Sequence, residues 1–128
     1  LAHVSVRSKW RVGRYGVELD VFNALLRDEL DRPSDAVDVF IIDEIGKMEC
    51  CSEVFVQSAA RVLSGPVPLL ATIAARGGGL ISQVKDRPDV EIVTVSAENR
   101  DGLPGQLVDL LTPRQSRPGR SNSGLNCE

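Results

Sequence analysis

Short apolar blocks alternate along the chain with polar and turn-forming stretches, and the spacing inside each block predicts its local structure. The clearest block is Val37-Asp38-Val39-Phe40-Ile41-Ile42, which ends abruptly in Asp43-Glu44. A mostly apolar run of this length predicts a buried strand of a parallel sheet. Leu1 to Val6 predicts a short strand, and Trp10 to Leu19, with Gly13 and Gly16, predicts a loop or turn. A helix is predicted from Asp20 as its cap, with Val21, Phe22, Leu25, Leu26 and Leu30 on one stripe and Pro33-Ser34 as its stop. Ser52 caps a second predicted helix with Val54, Phe55, Ala59, Val62 and Leu63 on its apolar face, and Gly65-Pro66 ends it. Strands are predicted at Val67–Ala74 and at the β-branched Val90–Val95, and helices at Leu80–Lys85 and Gly102–Leu111. Strand–helix alternation of this kind predicts a parallel α/β sheet with flanking helices and right-handed crossovers. Residues 1–111 are expected to form one domain. The Pro, Arg, Ser, Gly and Asn-rich stretch 112–128 is expected to be a disordered tail.

Composition narrows the classes of function. The chain of 128 residues is 42% hydrophobic and 26% charged, ordinary for a globular protein. A net charge of −3 argues against a nucleic-acid partner, whose footprint is usually a basic patch. No apolar stretch approaches the roughly 20 residues that span a bilayer, so no membrane partner is expected. The cysteines are Cys50, Cys51 and Cys127; adjacent cysteines and an odd total predict reduced thiols and a cytoplasmic setting. His3 is the single histidine, so a structural zinc site has little to build on. The sequence opens on Leu1 inside a strand-like stretch, which reads as a chain cut at its amino end, either a fragment or a mis-started reading frame.

Asp43 and Glu44 are the first candidates for chemistry. Ligands of open parallel sheets sit beyond the carboxyl ends of strands. A carboxylate there can hold Mg²⁺, which needs few protein ligands when phosphate oxygens and water supply the rest. A neighbouring Glu can orient a water toward a phosphoryl group. The plain alternative is that Asp43-Glu44 merely begins a loop. The phosphate-binding signature G-x-x-x-x-G-K-[ST] is absent from the 128 residues. Gly46-Lys47 has Ile41 and Met48 at the required Gly and Ser/Thr positions, and Gly77-Gly78-Gly79 lacks a following Lys-Ser. Cys50-Cys51 has no third ligand nearby and reads as two packing thiols.

The stretch Asp43-Glu44-Ile45-Gly46-Lys47-Met48-Glu49, then Ser52 and Phe55, closely resembles the hallmark of the cancer-related nucleoside-triphosphatase family, a small branch of the P-loop NTPases. Leu1-Ala2-His3-Val4, Arg11 to Val17, Leu70-Ala71-Thr72 and Glu98-Asn99-Arg100-Asp101 with Leu103-Pro104 resemble other segments of that family in the same order. The resemblance covers about residues 1–111. It implies a P-loop NTPase-like α/β fold, a Walker B strand, Mg²⁺ as cofactor, and hydrolysis of ATP, GTP or other nucleoside triphosphates with broad base tolerance. Residue by residue it implies Asp43 as the Mg²⁺-associated acid, acting through water, and Glu44 as the catalytic, water-orienting residue. Asn99 and Arg100 are implied to lie near the nucleotide. Arg100 reads equally as a surface arginine paired with Asp101 or Glu98.

Arg14 and Lys47 are further candidates for balancing phosphate charge. For Arg14 the alternative is a solvated turn residue, and for Lys47 a partner of Glu49 or Glu44. Glu49 is expected to begin the next segment rather than join the chemistry, and Met48 and Phe55 to be core. Without a phosphate loop the 128 residues alone are expected to be inactive, with exposed sheet edges that favour self-association. A non-catalytic remnant or binding module is the alternative of different class, and a nucleotide kinase a weaker one; Glu44 after Asp43 favours water over another acceptor. Preferred base and oligomeric state are not legible.

Overall fold

The computed structural model describes residues 2–112; the expected disordered tail lies, apart from Thr112, outside them. The chain divides into two compact units between Thr94 and Val95. The first begins with an antiparallel sheet of three short strands, β1 (Ala2–His3), β2 (Arg11–Val12) and β3 (Tyr15–Val17), in the order β1-β3-β2. Here the structure corrects the loop expected at Trp10–Leu19. Val12 pairs with Tyr15 across a two-residue turn, Gly13-Arg14. Gly13 has φ 59°, and no described non-glycine residue has a positive φ. That is the pattern of a type II′ turn, whose twist matches a hairpin and which puts glycine first.

Helix α1 (Leu19–Leu30) follows directly. Its cap position is Glu18, which makes no side-chain cap bond, and Asp20 sits in the first turn instead of capping. An acid there still interacts favourably with the helix dipole. Leu26 and Leu30 are buried, whereas Val21 and Leu25, expected on the same stripe, are 74% and 55% exposed. The buried stripe is therefore narrower than the apolar pattern.

β4 (Phe40–Ile45) and β5 (Leu69–Ile73) form the parallel pair, joined by α2 (Glu53–Leu63). Ser52 caps α2 as expected: its Oγ accepts the Phe55 N–H at 3.0 Å. The same hydroxyl donates to Asn23 Oδ1 on α1 at 2.5 Å. A second polar clamp joins these helices further along, where Arg61 reaches Asp31, itself 3.4 Å from the Ser58 hydroxyl. Phe22 and Phe55 also pack between the two helices, their rings tilted with centroids 5.9 Å apart.

α3 (Leu80–Lys85) completes the core. Leu26, Leu30, Phe40, Ile42, Ile45, Phe55, Ala59, Val62, Leu80, Ile81 and Val84 form one cluster, placing three helices against one face of the β4–β5 pair. Each large side chain buried this way contributes about 1.5–3 kcal/mol. Ile41, on the opposite face of β4, is 69% exposed.

The strand expected at Val90–Val95 does not form; residues 90–96 have no regular structure. Ile92, Val93 and Val95 are 48%, 41% and 63% exposed. β-branched residues favour a strand only where a pleated neighbour receives them. The second unit contains a turn at 97–102 and α4 (Leu103–Leu111), with Pro104 in its first turn, where a missing N–H costs nothing.

Ser52→Ala removes the α2 cap and leaves half-buried Asn23 without its hydroxyl partner. The expected loss is about 1–2 kcal/mol, measured by urea unfolding; a loss below about 0.3 kcal/mol would contradict the double role.

Candidate functional site at the end of the acidic strand

β4 leads out of the core through a register shift. Ile42 pairs with Ala71, but the next pair is Ile45 with Ile73, so three steps along β4 match two along β5. Strand side chains alternate between faces, and one extra residue resets that alternation. Phe40 and Ile42 are buried; strict alternation would bury Glu44 and expose Ile45. The shift does the opposite: Ile45 is 1% exposed, and Asp43 and Glu44 both face solvent. Neither carboxylate has a hydrogen-bond or ion-pair partner among the described residues, so both are open to a ligand.

The turn that follows shapes the space beside Glu44. Gly46 is buried, and a Cβ placed on it would lie 2.7 Å from Glu49 Oε2 and 2.8 Å from Glu44 Oε1. Both carboxylates therefore crowd onto the one position without a side chain. Glu49 begins the 3₁₀ turn Glu49–Cys51, as expected, yet its carboxylate also reaches the site. Its spacing in the sequence points only to a turn residue; the signal for the contact is Glu-x-Gly-x-x-Glu across a tight turn. Lys47 is exposed and makes no ion pair among the described residues, so neither Glu44 nor Glu49 serves as its partner.

The thiols of Cys50 and Cys51 lie in the same turn. Cys51 Sγ donates to the Lys47 carbonyl at 3.3 Å, and Cys50 packs against the core. Burial, with Glu49 and Cys51 adding to it, raises the Cys50 thiol above its ordinary value. Both thiols are free and half-buried, as expected of packing cysteines. Phe55 is buried at 2%, and Met48 is half-buried rather than core.

The other candidate residues stand apart in kind. Arg14 is at the tip of the β2–β3 hairpin, its guanidinium 5.3 Å from the Tyr15 ring centroid and 3.2 Å from the Tyr15 hydroxyl. That is the engaged turn residue rather than a free cation. Asn99 and Arg100 belong to the second unit. Asn99 Oδ1 accepts the Ser96 N–H at 2.8 Å and so braces the turn before α4. Arg100 Nε lies 3.5 Å from Asp101 Oδ1, the surface pairing named as its alternative. The Ser96 hydroxyl, with the backbone, holds the Glu98 carboxyl below its ordinary value. Among the described residues no group of three or more His, Cys, Asp and Glu side chains could hold a metal by itself. No described helix is long and apolar enough to cross a membrane.

The sequence profile of a family described as NTPase matches residues 1–108. The chain is 38% identical over 114 residues to the cancer-related nucleoside-triphosphatase of Homo sapiens, covering 83% of this chain and 58% of that protein. It is 32% identical over 111 residues to the nucleoside-triphosphatase THEP1 of Thermotoga sp. (strain RQ2), covering 87% of this chain and 64% of that one. Among solved structures, the crystal structure of THEP1 from the hyperthermophile Aquifex aeolicus superposes with a TM-score of 0.79 at 32% identity, over 86% of this chain and 68% of its own. The solution structure of a human cancer-related nucleoside triphosphatase gives 0.68 at 34% identity, over 92% of this chain and 68% of its own. The α/β fold of P-loop NTPase type expected from the sequence is the fold of these neighbours. The chain spans 58% and 64% of the length of the two curated relatives named.

Gly46→Ala tests the crowding. The atoms in the way are the ends of flexible side chains, so the variant is expected to fold within about 1 kcal/mol of the parent. Its crystal structure should show the Glu44 and Glu49 carboxylates displaced; unmoved carboxylates would contradict the contact.

Proposed function

The chain belongs to the NTPase family, and from that membership we propose that it carries the acidic half of a Mg²⁺-dependent site hydrolysing nucleoside triphosphates to diphosphate and phosphate, with tolerance for different bases. The observation that carries the reading is the Asp43–Glu44 pair, turned to solvent by the register shift at the carboxyl end of a parallel strand.

Glu44 orients the attacking water. The water oxygen forms its bond to the terminal phosphorus as the bridging P–O bond breaks, and that electron pair leaves on the diphosphate. One water proton stays as a hydroxyl on the released phosphate and the other passes to solvent. Such a step needs position more than base strength, and Glu44 sits on a strand end rather than a free loop. Gly46 leaves room for its carboxylate, and neighbouring Glu49 limits where that carboxylate can swing.

The donor set suits Mg²⁺. Asp43 offers a hard, exposed carboxylate oxygen without a competing partner, and an ion that keeps waters and takes phosphate oxygens needs little more from the protein. When bound, Mg²⁺ would neutralise charge on the phosphate oxygens, with Asp43 holding it through water. Asn99 and Arg100 are assigned to the nucleotide by the family pattern alone. The free thiols of Cys50 and Cys51 support a reducing, cytoplasmic setting.

In the protein at native length, Glu44→Gln is expected to lower kcat for phosphate release by roughly 10²- to 10³-fold with little change in KM. Asp43→Asn should raise the Mg²⁺ concentration required. The 128 residues alone should release no phosphate. Unchanged turnover in Glu44→Gln, or release by the 128 residues that Glu44→Gln abolishes, would overturn the respective claims.

A further inference from the structure

The carboxyl end of β5 presents a cation that the reading above leaves unused. β5 ends at Ile73, the register partner of Ile45, so the following segment leaves the sheet on the same side as Asp43 and Glu44. Its first residue, Ala74, donates its N–H to the Ile45 carbonyl at 3.1 Å. The half-buried Lys85 ammonium on α3 then donates to the Ala74 carbonyl at 2.7 Å and the Ala75 carbonyl at 2.8 Å. Two successive carbonyls turned to one ammonium fix both peptide planes. On the other side, a Cβ on Gly77 would lie 2.5 Å from Ile81 Cδ1, so the backbone there rests against a buried side chain.

Arg76 lies between these two anchors. Its backbone is held on both sides, yet its exposed guanidinium makes no hydrogen bond or ion pair among the described residues. It stands three residues past Ile73, within about 11 Å of extended chain. Five other arginines of the first unit are engaged: Arg11 with the Arg14 carbonyl, Arg14 with Tyr15, Arg32 with Glu29, Arg61 with Asp31 and Arg87 with Asp89; Arg7 and Arg27 lie on neither segment that leaves β4 or β5. Lys85 has turned to carbonyls. Lys47 and Arg76 are the uncommitted cations on the segments leaving β4 and β5. A triphosphate approaching Asp43, Glu44 and Glu49 meets like charge and needs compensation. A planar guanidinium can donate two parallel bonds to phosphate oxygens, which an ammonium cannot.

We propose that Arg76 binds the terminal phosphoryl group of the nucleotide, and that Lys85 is the positioning residue that aims it; both rest on the reading of Asp43–Glu44 as the hydrolytic site. Arg76 supplies hydrogen bonds to non-bridging oxygens whose charge grows in the transition state.

The test uses the native-length protein, with kcat and KM measured beside the binding of fluorescent tri- and diphosphate nucleotides. Arg76→Ala is expected to lower kcat by roughly 10²-fold and to weaken triphosphate binding more than diphosphate binding, with thermal unfolding unchanged. Arg76→Lys should recover part of the binding and little of the rate. Lys85→Met should lower kcat less than Arg76→Ala, and the double variant should be no slower than Arg76→Ala alone. Unchanged kcat and unchanged tri-to-diphosphate preference in Arg76→Ala would overturn the proposal for Arg76. Losses that simply multiply in the double variant would overturn the role of Lys85. Glu44→Gln is the reference: if it alone leaves turnover intact, the hydrolytic reading fails instead.

Discussion

One extra residue in β4 sets the terms for everything at the site. Between Ile42 and Ile45 the strand takes three steps while β5 takes two. Without that shift, the alternation that buries Phe40 and Ile42 would drive the Glu44 carboxylate under the helices and turn Ile45 to water. Burying an unpaired carboxylate costs several kcal/mol, and exposing Ile45 would forfeit about 1.5–3 kcal/mol of burial. The shift avoids both penalties together. It also places two carboxylates side by side in solvent at the end of a rigid element, an arrangement that a loop could not hold as firmly.

The helices keep this strand end in place. α1 and α2 are joined by a buried hydroxyl at one end, Ser52 to Asn23, and by the Asp31–Arg61–Ser58 group at the other. The aromatic pair Phe22 and Phe55 packs between them. The cap that starts α2 is thus also a tertiary bond, and the turn from Gly46 to Cys51 is stretched between a fixed strand and a fixed helix. β5 is tied to the same end by the Ala74–Ile45 hydrogen bond and by Lys85.

Much of this is legible in the sequence, and the exceptions have physical reasons. Val37 to Glu44 reads as a strand ending in acids because an apolar run of that length has few other uses; the strand that forms, Phe40–Ile45, starts three residues later than expected and carries Asp43 and Glu44 within it. Ser52 reads as a cap because the apolar face of α2 begins just after it. The register shift was not legible: it depends on what β5 offers opposite, and no single strand records its partner. The place of Glu49 is not legible, because contact through Gly46 is a matter of turn geometry, not of spacing in a regular element. The hairpin at 11–17 is hard to read although Gly13-Arg14 carries the glycine-first turn signal, since strands of two and three residues have almost no periodicity. Val90–Val95 is the opposite case. Its residues suit a strand, yet it forms none, because β-propensity acts only through a neighbour. Arg76 carried no signal beyond its distance from a strand end.

The most direct measurement is a crystal structure of the native-length protein with Mg²⁺ and a non-hydrolysable triphosphate. The Asp43 carboxylate should lie within the metal's ligand or water shell, and the Glu44 carboxylate should hold a water in line with the terminal phosphorus. A triphosphate bound away from the β4 end, with Asp43 and Glu44 both left in solvent, would contradict the assignment of this strand end as the hydrolytic site.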